Sequence, residues 1–306
     1  MNARGFSSLG VARVALVCAS LAGLLACDPA SDQASAPATP STHGVRIASL
    51  SPGITATIVE LGAHERLVGR TPWCQSPGEV AVVGTLLDLN AEALVRARPT
   101  VVLVQRPSQG VDPAIGALAE QYGWTVTNFR IESLGDVAAM VQGIAQAIAD
   151  PALAHDREKL LQRASEITAR LDEVLAPLAC ASEIGEVLLV LISSENADAM
   201  AFGQGTYLGE FIERIGAKNV ARTPGYPTLS TEALMRTGAA TIIVLGGHAS
   251  DVVTRLRIAL PQTLILALDS PQLLQPGGGM IHGLAQLRAL IAHACELRVK
   301  DAGGSP

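Results

Sequence analysis

The chain has 306 residues, of which 49% are hydrophobic and 16% charged, and its formal net charge is −6. Lys and Arg form neither a run nor a stripe, so nucleic acid is not an expected partner. The four cysteines after residue 26 are widely spaced, which excludes a disulfide-framework scaffold and a CxxC metal site. This composition fits a well-filled α/β core.

The first 26 residues have the pattern of an export signal. Arg4 and Arg13 flank a polar start, and the run "VALVCASLAGLLA" follows. The run is shorter than the roughly 20 apolar residues of a spanning helix. It ends in "LLAC", which resembles the lipobox of bacterial lipoproteins and implies cleavage before Cys27 and acylation of its thiol. The alternative is an ordinary secreted protein in which Cys27 is incidental.

Residues 27–44 are predicted to form a flexible tether. Residues 28–44 contain no Lys, Arg or aromatic residue, and Ala is their only aliphatic type. Such a segment buries too little surface to offset its ordering entropy. A lipid on Cys27 would therefore hold the folded part at the membrane through this tether.

From residue 45 onward, short aliphatic runs alternate with helical periods. This alternation predicts parallel sheets covered by helices on both faces. The candidate strands are 45–50, 81–84, 100–105, 124–129, 186–192, 241–246 and 263–268. The candidate helices are 54–62, 90–98, 112–122, 134–148, 207–215, 230–237 and 282–297.

One segment, 151–178, reads as a single long helix with Pro151 in its first turn and apolar residues along one face. A helix of this length spans a small domain, since 20 residues cover about 30 Å. We therefore predict an N-terminal lobe at 45–150, a linking helix at 151–180 and a C-terminal lobe at 181–306.

Two phrases recur in the two predicted lobes. Residues 89–104 read "LNAEALVRARPTVVLV", and residues 229–245 read "LSTEALMRTGAATIIVL". A second pair, 58–73 and 211–226, appears in the same order, and in both a helix ends at Gly-Ala and a short strand follows. Each Gly lies where a helix C-cap favours the left-handed conformation. Duplication explains both pairs better than chance.

These motifs together resemble the helical-backbone (class III) periplasmic binding proteins, the receptors of ABC importers for vitamin B12, ferric siderophores and haem. The resemblance covers about 45–296. It rests on the opening "RIASLSPGITATIVELGAHERLVG", on the block "VVGTLLDLNAEALVRARPTVVLV", on "FGQGTYLGEFIERIGAKNV", and on "STEALM" and "DSPQLLQPGGG". It implies two Rossmann-like lobes joined by one long backbone helix, with little closure on binding.

The resemblance also gives the repeated phrase a role. In this family each lobe presents one exposed Glu that docks on a permease subunit, and by position these residues are Glu92 and Glu232. The alternative is that each Glu only favours the dipole of its own helix, behind the N-caps Asn90 and Ser230. Both interpretations are compatible.

The same resemblance places the ligand between the lobes, on loops at strand ends. The candidate contacts are Trp73, Cys74, Gln105, Arg106, Phe202, Tyr207, Tyr226 and His248. Each aromatic has the alternative of a core position, and Arg106 that of a solvated surface residue. The aromatic pair Trp73 and Tyr226 favours a corrinoid over a ferric siderophore or haem.

Histidine and cysteine leave several interpretations open. His248 or His282 would be able to ligate the cobalt or iron of a cargo, but the six His lack metal-site spacing, and no resident cofactor or metal is expected. Relatives sometimes tie the linking helix to the last helix, which suggests a Cys180–Cys295 disulfide. Cys74 remains a ligand contact, a disulfide partner or a small buried hydrophobe.

Two other functions were weighed. An enzyme is disfavoured because "GQGTYLG" lacks the dinucleotide-binding spacing and because HExxH, P-loop and GxSxG motifs do not occur. A lipoprotein of the same fold that senses or stores a ligand without a transporter remains the alternative.

Overall fold

The structure is a computed structural model that describes residues 44–106, 110–192, 198–247 and 249–303. The predicted signal peptide, most of the tether, Cys27 and His248 lie outside these residues. Among the residues described, none of the helices combines the length and the apolar character that crossing a membrane requires.

The N-terminal lobe is built on a five-stranded, entirely parallel sheet of order β3-β2-β1-β4-β5. Its strands are β1 Ile47–Ser49, β2 Leu67–Arg70, β3 Ala81–Val82, β4 Val101–Gln105 and β5 Thr125–Phe129, and its helices are α1 Pro52–Glu60, α2 Ala91–Ala97, α3 Pro113–Tyr122 and α4 Leu134–Ala147. The central strands β1 and β4 are almost fully buried, which explains their continuous aliphatic sequence.

The C-terminal lobe repeats this architecture with one difference. Its sheet has the order β11-β10-β6-β7-β9, and β8 also pairs with β6. The strands are β6 Glu186–Leu191, β7 Ala199–Ala201, β8 Lys218–Asn219, β9 Thr228–Leu229, β10 Thr241–Leu245 and β11 Leu264–Leu268, and the helices are α6 Tyr207–Arg214, α7 Thr231–Met235, α8 Ala249–Ala259 and α9 Met280–Gly303. The pairing is parallel except for β7, which runs antiparallel to β6 and β9. The predicted α/β class with parallel-dominated sheets is confirmed.

A long helix, α5 Ala154–Leu175, connects the lobes. Its 22 residues span about 33 Å at 1.5 Å per residue. Its buried residues are Leu160, Ala164, Ile167, Leu171 and Leu175, which form one face at helical spacing. The predicted start was early by three residues, because Pro151 lies in the turn before the helix rather than in its first turn.

Charged side chains fix both ends of α5. At its start, Arg66 donates to both carboxylate oxygens of Asp156, at 2.9 and 2.5 Å, and to the Ile148 carbonyl at 2.7 Å. The hydrogen bond from Arg66 is the main reason that the pKa of Asp156 lies below its ordinary value. At the other end, Arg288 from α9 donates to the carbonyl of Val174 at 3.1 Å.

The two lobes share one continuous hydrophobic core, which includes residues of α1, α4, α5, α6 and α9. The backbones approach closely where α1 meets the segment before α9. A Cβ added at Gly53 would lie 2.1 Å from the Pro276 carbonyl oxygen, so only glycine fits there. Beside it, the Gly278 amide donates to the Thr57 hydroxyl at 2.8 Å. This shared packing favours a largely preformed cleft between the lobes.

The Cys180–Cys295 disulfide is confirmed, with the two Cα atoms 5.8 Å apart. Cys295 lies in α9, whereas Cys180 lies beyond the end of α5, just before the 3-10 turn Ala181–Ile184. The bridge therefore attaches the last helix to the entry of the C-terminal sheet.

The duplicated Gly-Ala helix ends share the same geometry. Gly62 and Gly216 both adopt positive φ, at 70° and 92°. In each case the Gly amide donates a hydrogen bond to the carbonyl three residues back, and the amide of the following Ala donates one to the carbonyl five residues back. The left-handed C-cap glycine predicted for both lobes is confirmed, and the hydrogen bonds form a Schellman arrangement.

Candidate ligand cleft

The N-terminal lobe forms its side of the cleft from the carboxyl ends of its strands. Ser51 follows β1, Trp73 follows β2, Gln105 ends β4 and Arg130 follows β5. The Ser51 hydroxyl donates to the Gln105 side-chain oxygen at 2.8 Å, which fixes that amide at the floor of the cleft. In parallel sheets these strand ends gather at one edge, which is where such folds bind ligands.

An apolar chamber of about 340 Å³ occupies this wall. Its lining residues are Leu50, Ser51, Pro52, Thr71, Trp73, Thr85, Leu86, Leu87, Gln105 and Arg106. Trp73 is 66% exposed and Leu87 is 81% exposed, although both are large apolar side chains. Exposed apolar side chains around a cavity are typical of a surface that a ligand covers.

A polar chamber of about 590 Å³ lies between the lobes. The N-terminal lobe contributes Arg106, Arg130, Ile131 and Glu132, and the C-terminal lobe contributes Gln204, Gly205, Thr206, Pro224, Gly225 and Tyr226. Arg106 lines both chambers and marks where they adjoin. The cleft therefore offers an apolar surface on one side of Arg106 and a polar, two-sided chamber on the other.

Two loops of the C-terminal lobe are joined edge to edge to form its wall. The Gly203 amide donates to the Gly225 carbonyl, and the Gly225 amide donates to the Gln204 carbonyl, each at 2.9 Å. A Cβ at Gly203 would lie 1.9 Å from the Thr223 carbonyl oxygen, so the close approach requires glycine. This pairing holds Tyr226 at the chamber.

The candidate aromatics fall into two groups. Trp73 and Tyr226 line the chambers, whereas Phe202 and Tyr207 are 1% and 6% exposed and pack in the core. The Tyr207 hydroxyl donates to the Leu273 carbonyl at 3.1 Å, and burial raises its pKa. Phe202 and Tyr207 are therefore core residues, which is the alternative to ligand contact that the sequence left open.

Phe202 still affects the cleft indirectly. Its ring meets that of Tyr226 edge to face, with centroids 5.7 Å apart. Partial burial also raises the pKa of Tyr226, and its phenol is able to donate a hydrogen bond.

Cys74 is buried and is not among the lining residues of the apolar chamber. Its sulfur lies 3.1 Å from the Thr71 hydroxyl, and its carbonyl accepts a hydrogen bond from Arg70. It is a free thiol. This position matches the interpretation of Cys74 as a small buried hydrophobe.

His282 lies outside both chambers. Its Nε2 is 3.0 Å from a carboxylate oxygen of Glu60, whose other oxygen accepts a hydrogen bond from Arg170 at 2.9 Å. Burial alone would raise the pKa of Glu60, but the hydrogen bonds from Arg170 and His282 outweigh it and lower the pKa. Within 44–303, apart from the gaps noted above, no group of three or more potential metal ligands is found.

The two arginines that line the polar chamber, Arg106 and Arg130, differ in whether they form an ion pair with a described residue. Arg130 pairs with Glu132, with Nε and Oε1 2.9 Å apart. Arg106, by contrast, forms no ion pair with any residue in the described part of the chain. Its side chain is exposed to the cleft, where an anionic group of a ligand would be its natural partner.

Several lining residues escaped the sequence analysis, chiefly Arg130, Glu132, Gln204 and Thr206. Arg130 and Glu132 belong to no recognisable motif, whereas Gln204 and Thr206 lie in the motif "FGQGTYLGEFIERIGAKNV" but were not singled out as ligand contacts. One signal was present for Arg130, because it follows the end of β5 as Arg106 follows the end of β4. The loop 204–206 gave no such signal, since the short strand β7 before it was not predicted.

The repeated phrase forms two exposed helix starts. Asn90 caps α2 by accepting from the Ala93 amide at 2.9 Å, and Ser230 caps α7 by accepting from the Ala233 amide at 3.2 Å. Glu92 and Glu232 occupy the first turns, as the dipole interpretation requires.

The two acids differ in their local partners. Glu92 is 82% exposed and pairs with Arg96 on the same helix. The backbone amide of Glu232 itself, followed by the Ser230 hydroxyl, lowers the pKa of the Glu232 carboxyl. Both side chains are exposed at the surface.

Comparison with known proteins agrees with this fold. The sequence profile of the periplasmic binding protein family matches residues 47–257. The chain therefore belongs to this family, which consists of substrate-binding transport proteins rather than enzymes. Its two lobes and long helix are those of the helical-backbone class.

Individual relatives are distant in sequence. An uncharacterised ABC transporter substrate-binding lipoprotein, YvrC of Bacillus subtilis (strain 168), is 23% identical over 69% of this chain and 66% of its own length, just under two thirds. The structure of the periplasmic haem-binding protein BhuT with two haems is similar at a TM-score of 0.65, with 27% identity over 83% of this chain and 100% of that chain. The vitamin B12-binding protein BtuF of Vibrio cholerae gives 0.64, with 20% identity over 83% and 98%.

Proposed function

We propose that this protein captures a corrinoid or an iron chelate (vitamin B12, a ferric siderophore or haem) between its lobes and delivers it to an ABC importer. The observation that carries the proposal is the pair of adjoining chambers that meet at Arg106. A ligand with a broad apolar face and a polar or anionic edge fits both.

The chamber linings support each part of this ligand. Trp73 and Leu87 present flat or branched apolar surface, and Tyr226 presents a ring edge and a phenol on the opposite lobe. Arg106, which forms no ion pair within the described part of the chain, supplies a cation between them. The haem and vitamin B12 named for BhuT and BtuF have this combination of a large ring and polar substituents, which supports the choice of ligand class.

Tryptophan fluorescence tests the ligand class directly. A soluble form comprising residues 44–306 contains two tryptophans, Trp73 and Trp124. Trp73 lines the apolar chamber, whereas Trp124 precedes β5 and stacks on Tyr122, with centroids 5.2 Å apart. The five residues of β5 place Trp124 about 16 Å from the cleft edge of the sheet.

Hydroxocobalamin, haemin and a ferric hydroxamate would each be titrated against the wild type, Trp73→Phe and Trp124→Phe. We expect saturable quenching by one ligand that is mostly lost in Trp73→Phe and retained in Trp124→Phe. Equal quenching in both variants would place the ligand elsewhere. Quenching by none of the three would remove this ligand class.

Delivery to a permease is proposed to use Glu92 and Glu232. Their exposure, their placement on equivalent helices of the two lobes and their negative charge suit a partner with one basic pocket per subunit. Reversing both charges should abolish ligand uptake by cells and leave ligand affinity unchanged. The matched control reverses Glu120 and Glu213, one exposed acid from each lobe on other helices. Normal uptake by the Glu92/Glu232 variant would refute the assignment.

The protein is further proposed to be exported and held at the cell membrane, facing the periplasm or the cell exterior, by a lipid on Cys27. The signal-like sequence before Cys27 and the naming of YvrC as a lipoprotein support this. Cys27→Ser should abolish incorporation of labelled palmitate and release the protein from the membrane fraction. Retention of the label in Cys27→Ser would contradict the proposal.

A further inference from the structure

Two helices from different lobes begin side by side at the edge of the polar chamber. Helix α4 starts at Leu134, directly after the lining residues 130–132, and α6 starts at Tyr207, directly after the lining residues 204–206. The start of a helix carries partial positive charge and backbone amides without helical partners. The cleft edge therefore brings two positive helix ends together.

Glu210 lies between these two ends. It belongs to the first turn of α6, and its Oε2 accepts a hydrogen bond from the Leu134 amide of the opposite lobe at 2.8 Å. Its Oε1 lies 3.7 Å from Arg214 on the same helix. One carboxylate thus offsets the positive charge of both helix starts and holds them together.

The Leu134 amide depends on this contact. The neighbouring donors at the start of α4 are satisfied within their own lobe, because Ser133 and Asp136 form a reciprocal capping box and Asp136 also accepts from the Glu132 amide. Removing the Glu210 carboxylate would leave the Leu134 amide without its protein partner and would let solvent from the polar chamber reach it, so its hydrogen exchange should become faster.

We infer that Glu210 is a positioning residue that sets the width of the ligand cleft by fastening the start of α4 to the start of α6. Among the described residues, the interlobe hydrogen bonds of Thr57 with Gly278 and of Glu60 with His282 join α1 to the C-terminal lobe and do not border the polar chamber. The Glu210 contact therefore controls the open side of the cleft. Its effect on a ligand rests on the proposed function, whereas its effect on the lobes does not.

Three substitutions of Glu210 separate the effects of its negative charge, its side-chain length and its hydrogen-bond acceptor. Glu210→Gln keeps an acceptor of the same length but loses the charge. Glu210→Asp keeps the charge but is one methylene shorter, and Glu210→Ala removes both. Glu213→Gln is the matched control, because Glu213 is exposed and lies on the same helix.

The first test uses the ligand-free protein. Hydrogen exchange at the Leu134 amide is followed by NMR, and the interlobe distance is measured between spin labels at Glu120→Cys and Ile258→Cys. Both sites are exposed, while Cys74 is buried and the other two described cysteines are disulfide-bonded. We expect hydrogen exchange at the Leu134 amide to be at least tenfold faster in Glu210→Asp and Glu210→Ala, with an intermediate rate in Glu210→Gln. The distance between the spin labels should become longer and more broadly distributed in these variants. Neither quantity should change in Glu213→Gln. Exchange and distances that match the wild type in all variants would overturn the inference.

The second test follows release of haemin and of hydroxocobalamin by stopped flow. Dissociation should be about tenfold faster in Glu210→Ala than in the wild type, with a smaller change in association and no change in Glu213→Gln. An unchanged dissociation rate for a ligand that does bind would overturn the cleft-width role. If neither ligand binds and the ferric hydroxamate also fails to bind in the fluorescence titration, the proposed function fails, and the ligand-free measurements still decide the inference.

Discussion

The Cys180–Cys295 disulfide offers a quantitative test of how the two ends of the C-terminal lobe are joined. The bridge closes a loop with a sequence separation of 115 residues, and it attaches α9 to the entry of the sheet. The perturbation is the double substitution of both residues by Ala, which removes the cross-link without adding a polar group to the buried Cys295 site.

The magnitude follows from the loop length. In the chain-entropy description, a cross-link lowers the entropy of the unfolded chain by about 2.1 plus 1.5R ln n cal/mol/K. For the separation of 115 this amounts to about 4.8 kcal/mol at 25 °C. With an m-value of about 3 kcal/mol/M for a chain of this size, the urea midpoint should fall by roughly 1.5 M.

The assay is urea unfolding of the soluble form, followed by circular dichroism, for the wild type and the double variant with and without reductant. Reductant should lower the wild-type midpoint toward that of the variant and leave the variant unchanged. The Cys74→Ala variant controls for loss of a buried thiol that forms no bridge. A double variant within about 1 kcal/mol of the wild type would refute the reasoning, since the long loop would then contribute little.

Three further outcomes are expected. Asp156→Asn should destabilise the protein at pH 7 by about 1.5–3 kcal/mol. Because the folded-state pKa of Asp156 is lowered, its contribution to the free energy of unfolding is present above its unfolded pKa and is lost as pH falls through the folded pKa. The urea midpoints of wild type and variant should therefore converge at low pH. Midpoints that stay apart at low pH would contradict this reasoning. Gly53→Ala should lower the thermal midpoint in calorimetry by overpacking the α1 crossing at a cost of about 1–3 kcal/mol, and an unchanged midpoint would show that the lobes separate easily. Small-angle scattering profiles with and without bound ligand should differ little because the lobes share one core, and a large fall in radius of gyration on binding would refute this.

The features that the sequence predicted well are those that neighbouring residues specify. The buried strands β4, β6 and β10 are continuous aliphatic runs, and such runs need no distant partner to be recognised. The helix starts at Asn90 and Ser230 follow from capping chemistry within four residues. The left-handed helix ends follow from glycine at the cap position in both lobes.

Weakly encoded elements were missed because their pairing partners are distant in sequence. Strands β7 and β9 have only three and two residues, and β7 runs antiparallel because of its partners in the folded sheet. Helix α8 also went unpredicted. Where the sequence alone placed Phe202 and Tyr207 on a glycine-rich turn, packing against distant segments buried both rings.

The sequence by itself thus determined the order of the aliphatic strands, the long connecting helix and the duplicated caps, because each depends on local periodicity and hydrogen bonding. Only the tertiary structure decided the two chambers, the lack of an ion pair between Arg106 and the residues that the structure describes, and the contact of Glu210 with Leu134. Those two residues are 76 positions apart, and their contact depends on how two lobes pack against one long helix. No local pattern encodes such a distance, so the cleft and its fastening emerge only when the whole chain is folded.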